Sequence, residues 1–295
     1  MNIVSIYKQF PLEQDCLSHL ENVRWPDKKP VCPYCNSNKT SPLPKEYRHH
    51  CNNCNTTFSV TVGTIFHHTH LPLQKWFLAV SLILNAKKGI AARQLARDLE
   101  VNKNTAWSLE MRIRKAMIET KQRELLHGIV EMDETYIGGK PRKGIGGEPL
   151  KRGRGTKKIP VVGMIERNGK VKAKAIKNHK LDHKTLKALV RANVDTSNTT
   201  LITDEYRGYI GMGRIVNHEV VNHQAWYVDG YKHTNNIEGF WALLKRGITG
   251  QYHKVSLKYL DKYITEFCYR HNNRENVDLF DMTIIRGLQS LPIKP

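Results

Sequence analysis

Long apolar runs are missing from this chain of 295 residues. The longest largely apolar stretch, Trp76–Leu84, falls far short of the ~20 residues a membrane-spanning helix requires. The opening, MNIVSIYKQF, has no basic region leading into an apolar one, and neither end carries a lipidation motif. No secretory signal or anchor is therefore expected. Cysteine is scarce: six in the whole chain, too few for a disulfide scaffold. Acid is scarce relative to base, with 27 Asp and Glu against 47 Lys and Arg and a net charge of +20. Such an excess points to a polyanionic partner, nucleic acid ahead of an acidic membrane surface. With 40% apolar and 25% charged residues, wholesale disorder is excluded. The length corresponds to about two domains of roughly 150 residues, enough to bury a core without staples.

Four of the six cysteines form two C-x-x-C pairs, Cys32–Cys35 and Cys51–Cys54, with 15 residues between them. Two such knuckles supply four thiolates to one tetrahedral ion, the spacing of a zinc ribbon with one structural zinc. Pro33 and Asn36 favour a tight turn, and Phe58, Val60 and Val62 alternate as a short strand does. His49 and His50, beside Cys51, are the alternative ligands. Cys16 and Cys268 read as core thiols. In a reducing cytoplasm such pairs mean metal rather than disulfide.

From Leu71 to about Leu126 the apolar spacing turns helical. One helix follows Pro72 through Leu84, and a second runs over Ile90–Leu99. A short break at Glu100–Asn104 leads to a third helix with Thr105 as its expected cap. Two short helices, a tight turn and a basic second helix make a helix-turn-helix. On that pattern Asn102, Asn104, Thr105 and Trp107 open the recognition helix towards bases, and Arg112, Arg114 and Lys115 face phosphates.

Strand signals begin at Gly128. Ile129–Ile137 carries acids near its middle. The stretch Lys140–Lys158 holds eight cations, Lys140, Arg142, Lys143, Lys151, Arg152, Arg154, Lys157 and Lys158, against one acid and five glycines. It is a phosphate-binding loop without sequence preference. Strands at Ile159–Glu166 and Lys170–Ile176 flank the turn Arg167-Asn-Gly169. A helix over Leu181–Val194 starts at Asp182, and strands follow at Thr199–Thr203 and His218–Asn222. Helices are expected over Asn235–Ile248 and Ser256–His271. The order βββαβαβα is that of a ribonuclease-H-like mixed sheet flanked by helices. The chain is thus expected to be α+β and multidomain: a zinc ribbon with an N-terminal helix (1–65), a helix-turn-helix domain (66–126) and the mixed-sheet domain (127–295).

Asp133 lies on the first strand of that sheet, Asp204 ends the fourth, and Glu238 starts a helix on which Lys245 shares its face. A carboxylate trio on rigid elements suits two divalent cations. On spacing alone these are three of 27 acids.

Particular strings narrow the choice. They are Arg24-Trp-Pro26, Thr64-Ile-Phe66, Leu71-Pro-Leu73 with Lys75-Trp76, Arg93-Gln-Leu-Ala-Arg97, Val130-Glu-Met-Asp-Glu-Thr-Tyr-Ile-Gly-Gly-Lys140, Thr203-Asp-Glu-Tyr206 and His233-Thr-Asn-Asn-Ile-Glu-Gly-Phe-Trp241, with Leu244-Lys-Arg246 and Tyr269-Arg-His-Asn-x-Arg274. Nearly end to end, the chain resembles the bacterial insertion-sequence transposases with an N-terminal zinc ribbon and an ISXO2-like DDE catalytic domain. The resemblance implies Asp133, not Glu134, as first acid and Asp204, not Glu205, as second. The third is Glu238, with Asn236 as alternative or helper. It implies two Mg²⁺ or Mn²⁺ per active site, bridged by Asp133 and completed by Asp204 and Glu238, with Lys245 and Arg246 on DNA and His223 and His233 as possible assistants. Transposon-end DNA and target DNA are the implied partners. A homodimer or higher oligomer on DNA and a bacterial cytoplasmic location are also implied. A non-catalytic DNA-binding regulator and a structure-selective nuclease are the rival functions.

Overall fold

The computed structural model describes residues 1–118, 124–138, 158–177, 181–221 and 232–289. The chain divides into two compact units. One holds Met1–Ile118 with the C-terminal stretch from Glu275, the other Glu119–Arg274.

The first unit opens with α1 (Ile3–Gln9) and α2 (Glu13–Arg24). A three-stranded antiparallel ribbon follows, β1 (Thr40–Leu43), β2 (Arg48–Cys51) and β3 (Thr56–Phe58). The expected strand through Val62 stops at Phe58. Beyond it the carbonyls of Val60 and Val62 accept from the Arg24 guanidinium, the second at 2.8 Å, so they are satisfied by a side chain rather than a neighbouring strand. Next come α3 (Leu73–Asn85), α4 (Ala92–Asp98) and α5 (Lys103–Ala116). The turn between α4 and α5 passes through Glu100 at φ +52°, left-handed as a sharp reversal requires. Asn102, not Thr105, caps α5: its side chain accepts from the Asn104 N–H at 2.9 Å. Among the described residues no helix is long and apolar enough to cross a membrane.

The second unit is built on a five-stranded sheet. Its strands are β4 (Leu126–Ile137), β5 (Ile159–Glu166), β6 (Val171–Ala175), β7 (Val194–Thr203) and β8 (Asn217–Val220). They lie in the order β6-β5-β4-β7-β8, with β5 antiparallel to both neighbours and β4, β7 and β8 parallel. That order is the ribonuclease-H-like one. Helix α6 (His183–Asn193), capped by Asp182 as expected, packs Leu186 and Val190 with Val130, Met132 and Leu201 on one face. On the other face lie α7 (Asn235–Gly247) and α8 (Leu257–Asn272). The side chain of Asn272 bonds both the N–H and the C=O of Val171, and Asp261 accepts from the Ala175 N–H, so α8 closes the β6 edge as a further strand would. The helix expected between the fourth and fifth strands is absent. Two single 3₁₀ turns, Arg207–Tyr209 and Met212–Arg214, take its place, because Gly208, Gly211 (φ +76°) and Gly213 break up so short a segment.

Helix α9 (Leu279–Gln289) belongs to the first unit, although the sequence assigns residues 127–295 to the mixed-sheet domain. Phe280 stacks edge-on against Phe77 at 5.6 Å, and Asp281 lies 3.2 Å from His19. The Gly287 carbonyl accepts from the Ile65 N–H at 3.1 Å. Ribbon, helix-turn-helix and α9 therefore belong to one unit.

Candidate functional site

The cysteine quartet assembles from two matching knuckles. The Asn36 N–H bonds the Cys32 carbonyl and the Asn55 N–H bonds the Cys51 carbonyl, both at 2.9 Å. Asn36 (φ +57°) and Asn55 (φ +55°) each take the left-handed turn that follows the second cysteine. The Cys32 and Cys54 sulfurs stand 3.6 Å apart and those of Cys35 and Cys51 3.5 Å, with all four within 4.8 Å of one another. A tetrahedron with Zn–S bonds of ~2.3 Å has edges near these values, whereas a disulfide is ~2.05 Å. Backbone N–H groups of Cys54 and Asn53 pull the Cys51 thiol down to about 6, whereas, against a hydrogen bond with Thr56, burial and the neighbouring thiols push Cys54 up to about 11, opposite shifts of thiols crowded at one site. His49 is not a ligand: its Nε2 sits 2.9 Å from Glu21, and its ring lies 5.3 Å from Trp25 and 5.6 Å from Phe58. The quartet also excludes His50.

On α5, Lys103, Asn104, Thr105, Trp107 and Ser108 are exposed, as a reading face requires. Arg112 and Lys115 are half-buried, and the Arg112 guanidinium lies 5.8 Å over the Trp76 ring. Arg114 corrects the expectation of a phosphate contact. It is fully buried and paired with buried Glu110 at 3.0 Å, four residues earlier. The reason is tertiary, since α3, α4 and α9 all pack on α5 and leave a side the sequence reads as solvated in the interior. Of the cationic loop, Lys158 is described and half-buried. Lys140, Arg142, Lys143, Lys151, Arg152, Arg154 and Lys157 lie outside the described residues, as does His223.

The acids gather where β4 and β7 run side by side. Their register pairs Glu131 with Ile202. Two residues further along each chain this brings Asp133 level with Asp204. Asp133 is half-buried, and its carboxyl is pushed up to about 7, chiefly by burial and then by the charges of Glu134 and Asp204. Alternation along β4 sends Glu131, Asp133 and Thr135 towards α7, and Val130, Met132 and Glu134 to the opposite face. There Glu134 accepts from the Tyr209 hydroxyl at 2.9 Å. Asp204 accepts from the Tyr206 N–H at 3.0 Å. The Trp241 indole donates to Asp133 Oδ2 at 3.0 Å.

Glu238 lies in the first turn of α7, exposed, and accepts from the Thr234 hydroxyl at 3.0 Å. Lys245 and Arg246 are exposed in the last turn. Asn236 gives its side-chain N–H to Glu131, 2.8 Å away. His233 stands beside the same carboxylate at 3.3 Å. Among the described residues the cysteines are the only group of three or more Cys, His, Asp or Glu side chains whose ligand atoms all lie within 4.8 Å. Asp133 and Asp204 stand level on neighbouring strands, and the trio of Asp133, Asp204 and Glu238 does not close within that radius.

Sequence reasoning missed three residues here. Glu131 carries a signal, standing two positions before Asp133 on the same strand face. Trp241, three after Glu238, shares its side of the helix. Gly163 carries none: it pairs with Asp133 across β4 and β5, and a Cβ there would lie 2.4 Å from the Trp241 ring. Gly163→Ala is expected to displace Trp241 from Asp133 and to destabilise the unit by about 1–3 kcal/mol, as overpacking does. Urea unfolding measures this, and an unchanged midpoint would refute the steric argument.

Residues 125–272, just over half of the chain, match the family of the ISXO2-like transposase domain, and residues 11–57 match the transposase zinc-ribbon domain. A protein in transposable element ISH50 of Halobacterium salinarum is 28% identical over 286 residues, covering 89% of this chain and 92% of that one. Two solved structures of Mos1 align loosely. The strand transfer complex has TM-score 0.30 and 14% identity, over 72% of this chain and 75% of that one. A pre-cleavage transpososome has TM-score 0.28 and 16% identity, over 73% and 79%. Superpositions this loose carry no weight beside the strand order. Ribbon quartet, sheet order and acid-bearing strands coincide with the stretches the two families match, and the chain belongs to the ISXO2-like transposases, with a transposase zinc ribbon at its N-terminal end.

Proposed function

We propose that this protein is a metal-dependent DNA transposase that binds the terminal inverted repeats of an insertion sequence, cleaves to expose 3′-OH ends and joins them to target DNA. The observation that carries the reading is the alignment of Asp133 and Asp204 at neighbouring parallel strands, with the Glu238 helix tied to Asp133 through Trp241. The donors fit magnesium or manganese. They are hard carboxylate oxygens, and a cation would offset both the burial that chiefly raises Asp133 and the lesser repulsion from Glu134 and Asp204. Asp133, Asp204 and Glu238 would hold two such ions, whose chemistry is activation of an attacking oxygen and stabilisation of the leaving one.

The chain's own groups do the rest. The Trp241 indole orients Asp133 by holding one oxygen, and the Tyr206 N–H does the same for Asp204. Lys245, exposed on the Glu238 helix, steadies a phosphate, with Arg246 beside it. Asn102, Asn104, Thr105 and Trp107 read bases, while Arg112, Lys115 and the loop cations from Lys140 to Lys158 neutralise phosphates of end and target DNA. The protein acts as a homodimer or larger assembly on DNA in the bacterial cytoplasm, since two element ends must be joined together.

Binding assays across salt test this reading. Affinity for random duplex is expected to fall by ~0.9 log units per log unit of salt for each phosphate neutralised. Terminal-repeat duplex should keep an advantage at every salt concentration. A flat salt response contradicts phosphate-dominated binding. Equal affinity for repeats and random duplex points to a nuclease, and repeat binding without metal-dependent cleavage points to a regulator.

A further inference from the structure

Glu131, a carboxylate outside the expected trio, is fully buried in the middle of β4. Its Oε2 accepts the backbone N–H groups of Asn236 at 2.9 Å and Ile237 at 3.1 Å. Its Oε1 accepts from the Asn236 side chain at 2.8 Å and from Arg167 Nε at 2.9 Å. Arg167, in the turn between β5 and β6, also reaches the His233 carbonyl at 3.1 Å, just ahead of α7. Burying a carboxylate is costly unless it is paired and hydrogen-bonded, and here both oxygens are engaged.

Helix α7 depends on this acceptor. Its N-cap residue, Thr234, makes no side-chain cap, and the hydroxyl turns instead to Glu238. The first N–H groups of a helix need partners. A cap from the residue before the helix fixes nothing else. A cap from β4, 105 residues earlier, pins the helix end to the strand. Trp241 on Asp133 is the second tie. The two ties match in spacing: two strand residues span ~6.6–6.8 Å, and the four or five helical residues from Asn236 or Ile237 to Trp241 span ~6–7.5 Å. The helix therefore lies along the strand in one register, with Glu238 between its two anchors.

Resting on the reading of Asp133, Asp204 and Glu238 as the metal-holding acids, we propose that Glu131 is a positioning residue. It sets α7 along β4 and thereby the distance of Glu238 from Asp133 and Asp204.

Manganese binding to the full-length protein, followed by electron paramagnetic resonance well below the melting transition, tests this together with cleavage of end DNA. Glu131→Gln keeps the size but loses the charge and one acceptor. Mn²⁺ affinity and cleavage rate are each expected to fall about 10–100-fold, with DNA-end binding unchanged. In a Glu238→Gln background the same change should cost Mn²⁺ affinity nothing further, because the two residues act as one unit. Val190→Ala, in the core on the α6 face, should lower the melting temperature and leave Mn²⁺ affinity alone. A Glu131→Gln protein that melts lower yet binds Mn²⁺ and cleaves like the parent overturns the proposal, as do strictly additive effects with Glu238→Gln. If Glu131→Gln does not fold, Glu131→Asp keeps a charge for Arg167 but is one methylene too short to hold both ties. It should weaken Mn²⁺ binding in the same pattern, and parental affinity there overturns the proposal. Failure of the underlying reading looks different: Asp133→Ala would then bind Mn²⁺ as the parent does.

Discussion

Asp133→Ala and Asp204→Ala are each expected to abolish cleavage and strand transfer together while DNA-end binding stays intact. The labour is divided between units: ribbon and helix-turn-helix lie in one, both acids in the other. Losing merely an outer partner of a metal ligand costs ~10–100-fold, so losing a ligand should cost more than ~100-fold in both steps. Folding should survive, because the half-buried Asp133 carboxyl is already disfavoured in its charged form. Asp133→Asn sharpens the test. It keeps an acceptor for the Trp241 indole and loses only the charge, so it should be as inactive as the alanine variant. Glu238→Gln should lose most activity, with partial recovery at higher Mn²⁺. Asn236→Ala should lose less, since the Asn236 side chain donates to Glu131 rather than standing among the acids. Gel-based cleavage and joining assays on end DNA measure all of these. If Glu238→Gln remains active while Asn236→Ala is dead, the third position belongs to the asparagine. Normal cleavage by every variant rules out carboxylate–metal chemistry.

Removing two thiolates should have the other large effect. Cys32→Ser/Cys35→Ser is expected to take the metal content from about one zinc per chain to none and to unfold the ribbon. Strands of four, four and three residues are too short to stand alone. Zinc binding in comparable modules supplies ~10–16 kcal/mol of apparent free energy, more than the small core of Trp25, His49 and Phe58 can replace. Because ribbon and helix-turn-helix share one unit, DNA-end binding should be lost with the metal. Elemental analysis and a melting curve with and without chelator check this. Unchanged zinc in the double variant would refute the assignment.

What the sequence determined by itself was whatever depends on near neighbours. The cysteine spacing specifies the quartet because each knuckle closes within five residues. Helix and strand periods locate α3 to α8 and all five sheet strands, because each element buries one face. The strings around Asp133, Asp204 and Glu238 carry the family. Only the tertiary structure decided which polar groups are buried and what they hold. Arg114 reads as a solvated cation on its own helix, and it becomes an interior ion pair because α3, α4 and the distant α9 all pack on α5. His49 adjoins a zinc cysteine in sequence, yet its ring is turned to Glu21, Trp25 and Phe58. Glu131 looks like one more strand acid until α7 arrives 105 residues later with its unpaired N–H groups. Gly163 is silent until the Trp241 ring needs the space where its Cβ would stand. In each case the deciding partner is distant in the chain, and a buried charge or a missing side chain has no period by which to announce it.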